Sequence, residues 1–279
     1  MSNGRLEGMV ALVTGAGGGE AGGIGAGISR CLAREGARVA VNGRTMESAL
    51  ATVQQLQALG VEAWPVPADV SDSKQAGIMV DATADHFGQL DILVNNAGVG
   101  GNPTAIEHLP DQDWLWMIGI NLNGPFFTSR SAVPQMRARG YGRIINIASV
   151  AAMRISYIGG AAYCCSKAGL LGLTRHLATE VAQYGITVNA IMPGITLTPL
   201  LQNTTTDETR AAITRGIPAQ RPADPEEMGY LAAFLASPEA GYITGAAIPV
   251  DGGATVLPGD YTAFRRNSGR DTGKISNTQ

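Results

Sequence analysis

Short apolar runs alternate with longer amphipathic stretches along most of the chain. MVALVTG reads as a strand that ends in glycines, and GIGAGISRCLAREG as a helix stopped by Gly36. RVAVNG, VEAWPVPADV and LDILVNNAG follow as strands, separated by TMESALATVQQLQALG and SDSKQAGIMVDATADHFG, which carry helical spacing. This strand–helix–strand alternation predicts an α/β fold, a parallel sheet with helices on both faces. The strands are nearly continuous in apolar residues, as expected when both sides of a sheet are covered.

Residues 111–139 predict one long helix that Pro125 disturbs. RIINIAS is a fifth strand, a helix runs through Tyr163 to about Tyr184, and ITVNAIMPG is a sixth strand. PEEMGYLAAFLAS and AAIPVDGG supply a last helix and a last strand. Between the sixth strand and that helix, 195–222 is rich in Thr, Pro and polar residues and predicts a long loop outside the core. Loops of that length usually bind something or are disordered. The organisation is one domain over 1–257 and a polar tail over 258–279, where Arg265, Arg266, Arg270 and Lys274 suit a mobile terminus.

Composition narrows the function classes. A chain of 279 residues, 45% hydrophobic and 15% charged, can bury a sizeable single core. Its net charge of −3 suggests neither nucleic acid nor an anionic membrane as partner. Cys31, Cys164 and Cys165 form no disulfide framework, and the adjacent pair reads as small helix-packing residues. His86, His108 and His176 lack metal-ligand spacing, so no metal site is expected. No apolar stretch reaches the ~20 residues that span a bilayer. The polar opening MSNGRLEG is no signal peptide, which makes the cytoplasm the expected location.

Candidate chemistry centres on Tyr163 and Lys167 in AAYCCSKAGL, with Ser149 upstream in RIINIASV. On a helix, positions i and i+4 share a face. A lysine ammonium beside a phenol favours the phenolate and draws a pKa of about 10 toward neutrality. Such a tyrosine exchanges a proton near pH 7, and Ser149 can hydrogen-bond the reacting oxygen. The bare spacing also fits an ordinary exposed helix face.

Several motifs in fixed order remove that ambiguity. ALVTGAGGGEAGGIGAGIS, NNAG at 95–98, INLNGPF around Asn121, Ser149, Tyr163 with Lys167, and PGITLTP at 193–199 together resemble the classical short-chain dehydrogenase/reductase family over residues 6–256. The resemblance implies a single-domain Rossmann-type doubly wound sheet and hydride transfer between a nicotinamide cofactor and a secondary alcohol or ketone. Tyr163 would be the proton donor or acceptor, and Lys167 would tune it and bind the nicotinamide ribose. Ser149 would orient the substrate, and Asn121 would hold a water that links Lys167 to solvent. For the cofactor it implies Gly15, Gly17, Gly23, Ile24 and Gly25 at the phosphates, Asp69 and Val70 at adenine, and Asn95, Ala97 and Gly98 at a strand end. Tyr163, Lys167, Pro193, Gly194, Thr196 and Thr198 would lie on the nicotinamide side. The family's TGxxxGxG pattern arrives four positions late, and the extra residues include Glu20.

At the end of the second strand, NAD-binding chains carry an acid for the ribose hydroxyls. Here the residues are Asn42, Gly43 and Arg44. An arginine pairs with a 2′-phosphate, so NADP(H) is the expected cofactor, with NAD(H) open if Arg44 only stacks or points to water. The resemblance further implies a homotetramer. Trp114 and Trp116 suit packing or a subunit contact, and Arg154 suits either an anionic substrate or a surface charge. A lyase or isomerase, or a non-catalytic nucleotide-binding protein, could share this fold. The intact Ser149, Tyr163, Lys167 and glycine loop favour the dehydrogenase or reductase.

Overall fold

A computed structural model describes residues 4–18, 22–101, 103–156, 159–256 and Tyr261. Glu20 and all of the expected tail except Tyr261 lie outside the described residues. Seven parallel strands form one sheet in the order β3-β2-β1-β4-β5-β6-β7. They are β1 (Val10–Val13), β2 (Arg38–Gly43), β3 (Ala63–Pro67), β4 (Ile92–Asn95), β5 (Gly142–Ile147), β6 (Ile186–Pro193) and β7 (Ala247–Val250).

Alternate residues of each strand feed two cores. Ala11, Val13, Val39, Val41 and Ile145 pack on one face against α1 (Ile24–Arg34), α2 (Met46–Ala58) and α9 (Pro225–Ala236). Val10, Leu12, Ala40, Leu93 and Ile144 point the other way, toward α3 (Ser73–Phe87), α5 (Gly124–Arg139) and α6 (Gly160–Val181). The parallel sheet covered on both faces, read from the alternation, and the doubly wound order implied by the resemblance are therefore present. After β3 the chain crosses to the other face and re-enters as β4 beside β1. That reversal opens a crevice beyond the carboxyl ends of β1 and β4, where open α/β sheets bind ligands.

Two segments differ from the sequence expectation. The predicted long helix over 111–139 is α4 (Asp111–Ile118) and α5, joined by a π-helical turn at Gly119–Asn123. The disturbance is this wide turn, which lies immediately before Pro125, a residue with no N–H to offer the preceding turn. The expected loop at 195–222 folds into α7 (Pro199–Thr204) and α8 (Asp207–Arg215). Thr198 and Thr206 cap these helices by accepting from Leu201 N and Thr209 N. None of the α8 residues is buried, which is why no apolar periodicity announced it.

Candidate active site

The site is built on the end of β5 and the start of α6. Ser149 follows β5 and begins a short 3-10 turn at Val150–Ala152, where its Oγ accepts from Ala151 N at 3.1 Å. That bond uses a lone pair and leaves the hydroxyl proton for another acceptor. Tyr163, partly buried in the first turn of α6, is held toward Ser149. Burial raises the phenol above its ordinary pKa, and hydrogen bonding to Ser149 opposes the rise.

Lys167 lies one turn further along α6 and is only 5% exposed. Its Nζ donates to the Ile147 carbonyl at 2.9 Å and stands 5.8 Å from the centroid of the Tyr163 ring. Burial alone lowers its pKa to about 8. The sequence places Lys167 as the group that pulls the tyrosine down. Here burial outweighs other influences on Tyr163, and the ammonium is occupied by a main-chain carbonyl of β5.

Asn121 is fully buried in the π-helical turn. Its Oδ1 accepts from Val99 N at 2.8 Å, and its Nδ2 donates to Val99 O at 3.0 Å and to Ser166 Oγ at 3.1 Å. Ser166 Oγ donates its one proton to Tyr163 O at 2.8 Å, so it can only accept from Asn121. This fixes which way the amide faces. A Cβ built on Gly98 would lie 3.3 Å from Asn121 Oδ1 and 3.4 Å from Lys167 Nζ, so glycine keeps open the space between them.

The glycine turn sits at the other end of the crevice. Gly15 has a left-handed φ of 61°, and a Cβ there would come within 2.6 Å of Ala97 Cα. Gly15 N donates to Asn42 Oδ1 at 3.1 Å, and Gly18 N donates to Ser48 O at 3.0 Å. α1 starts after Gly23 with no side-chain cap and no acid in its first turn. The exposed N–H groups of that terminus, Ile24 and Gly25 among them, suit an anion. Thr198 closes over it, with its Cγ2 3.7 Å from a Cβ built on Gly23. A recess of about 200 Å³ lined by Gly22, Leu197, Pro199, Gln202 and Pro225 joins the helix start to the 195–222 segment. The glycines, the uncapped helix and the opening at Gly98 fit a dinucleotide with a pyrophosphate in its middle.

Other predicted residues divide into those facing the crevice and those used inside. Asp69 Oδ1 accepts from Ser71 N and Oγ at 2.9 and 2.6 Å, while Val70 packs beneath α5, 3.0 Å from a Cβ built on Gly124. Pro193 ends β6, Gly194 N donates to Val250 O, and Thr196 Oγ1 returns to Gly194 O at 3.2 Å. These bonds set the path of the chain toward α7. Asn95 is different. Its amide donates to Ser129 Oγ and Asn146 Oδ1 and accepts from Thr128 Oγ1, so its side chain ties β4 to β5 and α5 instead of entering the crevice. Arg44 is exposed between β2 and α2. Arg154 donates to Ala254 O at 2.8 Å, tying the segment after Ser149 to the last described turn.

Sequence reasoning passed over three residues that shape the site. Asn42 links the glycine turn to β3 through bonds to Val66 O and Ala68 O. Thr14 Oγ1 accepts from Asn96 N and Ala97 N, and Ser166 orients Asn121. The available signal was a polar residue in an otherwise apolar run, since such a group must be satisfied when buried. Among the described residues no cluster of His, Cys, Asp and Glu could hold a metal, and no helix is long and apolar enough to cross a membrane.

The chain is similar to known proteins over most of its length. A family model described as enoyl-(acyl carrier protein) reductase matches residues 18–255. A D-beta-hydroxybutyrate dehydrogenase of Rhizobium meliloti is 38% identical over 251 residues, covering 85% of this chain and 96% of that protein. A 3-oxoacyl-[acyl-carrier-protein] reductase of Staphylococcus aureus is 39% identical over 244 residues, covering 87% and 96%. The crystal structure of a gluconate 5-dehydrogenase from Burkholderia cenocepacia, in complex with NADP and tartrate, superposes with a TM-score of 0.84 at 31% identity over 91% of this chain and 98% of that one. With a doubly wound sheet, a glycine turn at its switch point and Ser149, Tyr163 and Lys167 gathered at the end of β5, the chain belongs to the short-chain dehydrogenase/reductase family of oxidoreductases.

Proposed function

We propose that the protein interconverts a secondary alcohol and a ketone with a nicotinamide dinucleotide, NADP(H) in preference to NAD(H). The observation that carries this reading is the convergence of Ser149, Tyr163 and Lys167, with the Tyr163 hydroxyl turned to Ser149 and the Lys167 ammonium 5.8 Å from its ring. One relative is named for a hydroxy acid and another for an oxoacyl group, the two sides of such a pair.

The bound cofactor supplies or accepts hydride; the protein's share is positioning and one proton. Gly15, Gly17, Gly23, Ile24 and Gly25 hold the phosphates, and Asp69 and Val70 border the adenine. The Ala97–Gly98 turn, Pro193, Gly194, Thr196 and Thr198 flank the nicotinamide end. Asn95 contributes by holding β4 against β5. Ser149 donates to the substrate oxygen. Tyr163 gives its proton to the developing alkoxide in reduction and takes it back in oxidation. A phenol held above its ordinary pKa is protonated at neutral pH, the state that reduction uses. Lys167 keeps a positive charge behind Tyr163 and reaches the nicotinamide ribose, while Asn121 fixes the turn at Val99 beside it.

We place the protein in the cytoplasm as a homotetramer. Leu115 and Trp116 on α4 and Phe126 on α5 leave 66%, 48% and 43% of their surfaces exposed, which suits a subunit contact. Light scattering at micromolar concentration tests the assembly, and a monomer mass refutes it. The activity is tested by cofactor oxidation at 340 nm over a panel of ketones and oxo acids, with each cofactor in turn. Turnover with a ketone, lost in Tyr163→Phe, supports the reading; turnover that survives that change overturns it.

A further inference from the structure

The end of β2 is pinned on both sides. Gly43 O accepts from Ala68 N at 3.1 Å and from Asn42 Nδ2 at 3.2 Å. Ser48, in the first turn of α2, is held equally firmly. Its N–H donates to Thr45 Oγ1 at 3.2 Å, its carbonyl accepts from Gly18 N at 3.0 Å, and its Oγ donates to Thr45 O at 2.9 Å. Between the two there is no room for a side chain. A Cβ on Gly43 would lie 3.1 Å from Ala49 N and far inside contact distance of Ser48 Oγ. The backbone of Gly43 is not left-handed, so this contact, rather than its φ, resists a larger residue. Neither main chain can retreat without releasing β3 or the glycine turn, which leaves the Ser48 hydroxyl as the group that must give way.

We infer that Ser48 is a cofactor-specificity residue: its hydroxyl fills the space that an acid at position 43 requires, keeping a carboxylate away from the adenosine ribose and leaving Arg44 to decide the cofactor. The inference rests on the NADP(H) reading above. It gives Ser48 two linked tasks, since its carbonyl also holds Gly18, and a Cβ on Gly17 would meet that carbonyl at 2.8 Å. Any shift of the Ser48 main chain would therefore disturb the turn proposed for the pyrophosphate. Turning the hydroxyl away breaks its bond to Thr45 O, so an acid at 43 and removal of the hydroxyl at 48 should act together in moving preference toward NAD(H).

The test uses the full chain with G43D, S48A and G43D/S48A. The readouts are the melting temperature without ligand and the affinities for NAD+, NADP+ and 2′,5′-ADP by calorimetry. G43D alone should lower the melting temperature by about 3–8 °C, as overpacking does in a domain of this size. It should also bind both dinucleotides poorly. G43D/S48A should recover most of that loss and bind NAD+ at least about tenfold more tightly than G43D. Both acid variants should lose 2′,5′-ADP through like-charge repulsion. If G43D fails to fold, G43A and G43A/S48A carry the same comparison of melting temperatures. Additive effects at 43 and 48, or equal NAD+ affinity in G43D and the double variant, overturn the role of Ser48 while leaving a wild-type NADP+ preference intact. A wild-type protein that binds NAD+ more tightly overturns the cofactor reading itself, whatever the coupling between the two sites.

Discussion

Lys167 and Ile147 are joined by a 2.9 Å hydrogen bond from the buried ammonium to a β5 carbonyl, two residues before Ser149. One strand end thus positions both the Ser149 hydroxyl, proposed to meet the substrate oxygen, and the Lys167 ammonium. A charge in this place is costly for the protein without ligands. Burial lowers the Lys167 pKa from 10.5 to about 8, so the folded state binds fewer protons than the unfolded chain between those values. Stability should therefore rise with pH through roughly 8 to 10.5, by an amount on the order of 3 kcal/mol. Thermal melts of wild type and Lys167→Met across that window check this. The wild type should gain on Lys167→Met as pH rises; parallel curves would mean that the ammonium is not desolvated.

Tyr163→Phe removes only the hydroxyl proposed as proton donor. Turnover should fall about 10²–10⁴-fold, the usual worth of positioned proton transfer, with cofactor affinity nearly unchanged. Steady-state kinetics with a fluorescence titration of the cofactor separate the two effects. Retention of a third of the wild-type rate would remove Tyr163 from its role.

Ser149 is the group that opposes the upward shift of Tyr163. Ser149→Ala should therefore move the tyrosine limb of the kcat/KM profile to higher pH as well as lowering the rate. A slower enzyme with an unmoved limb would limit Ser149 to the substrate oxygen and deny it any influence on the phenol.

Gly98→Ala tests the opening between Asn121 and Lys167. Its methyl would stand 3.3 Å from one polar atom and 3.4 Å from the other, a fit so close that one of them must shift. Small displacements in a catalytic array are expensive, so kcat/KM should fall about ten- to a hundredfold with little change in melting temperature. Wild-type kinetics in this variant would mean that the space does not serve the reaction.

The sheet and its helices were legible because buried parallel strands advertise themselves as apolar runs between helical periods. The pattern put Ser149 at a strand end and Tyr163 and Lys167 on a helix; their grouping as a site rested on the family resemblance, since the bare spacing also fits an exposed helix face. What escaped was set by pairing across the chain. The π-helical turn at Gly119–Asn123 carries no local signature, because its side-chain partners come from Val99 and Ser166. Asn95 looked like a ligand contact and proved to be the centre of a buried network with Thr128, Ser129 and Asn146. Nor does the sequence show that the space beside Gly43, at the end of β2, is taken by the Ser48 hydroxyl from the first turn of α2.

The proposed cofactor preference puts Arg44 to the test. It is exposed between β2 and α2, where a guanidinium can reach a phosphate on the adenosine ribose. A bidentate arginine–phosphate contact is short, charged and directional, and losing one such contact typically costs about ten- to a hundredfold in affinity. NADP(H) should exceed NAD(H) by at least about tenfold in kcat/KM. Arg44→Ala should erode that margin mainly through KM for NADP(H), because the ribose lies far from the reacting atoms and its binding is shared by ground and transition states. Arg44→Lys should recover only part of it, since an ammonium offers a point charge in place of a planar fork. The margin should also shrink with added salt, as for any solvent-exposed ion contact. Kinetics with both cofactors at two ionic strengths decide the matter, and a ratio that neither Arg44 nor salt alters would place recognition of the 2′-phosphate elsewhere.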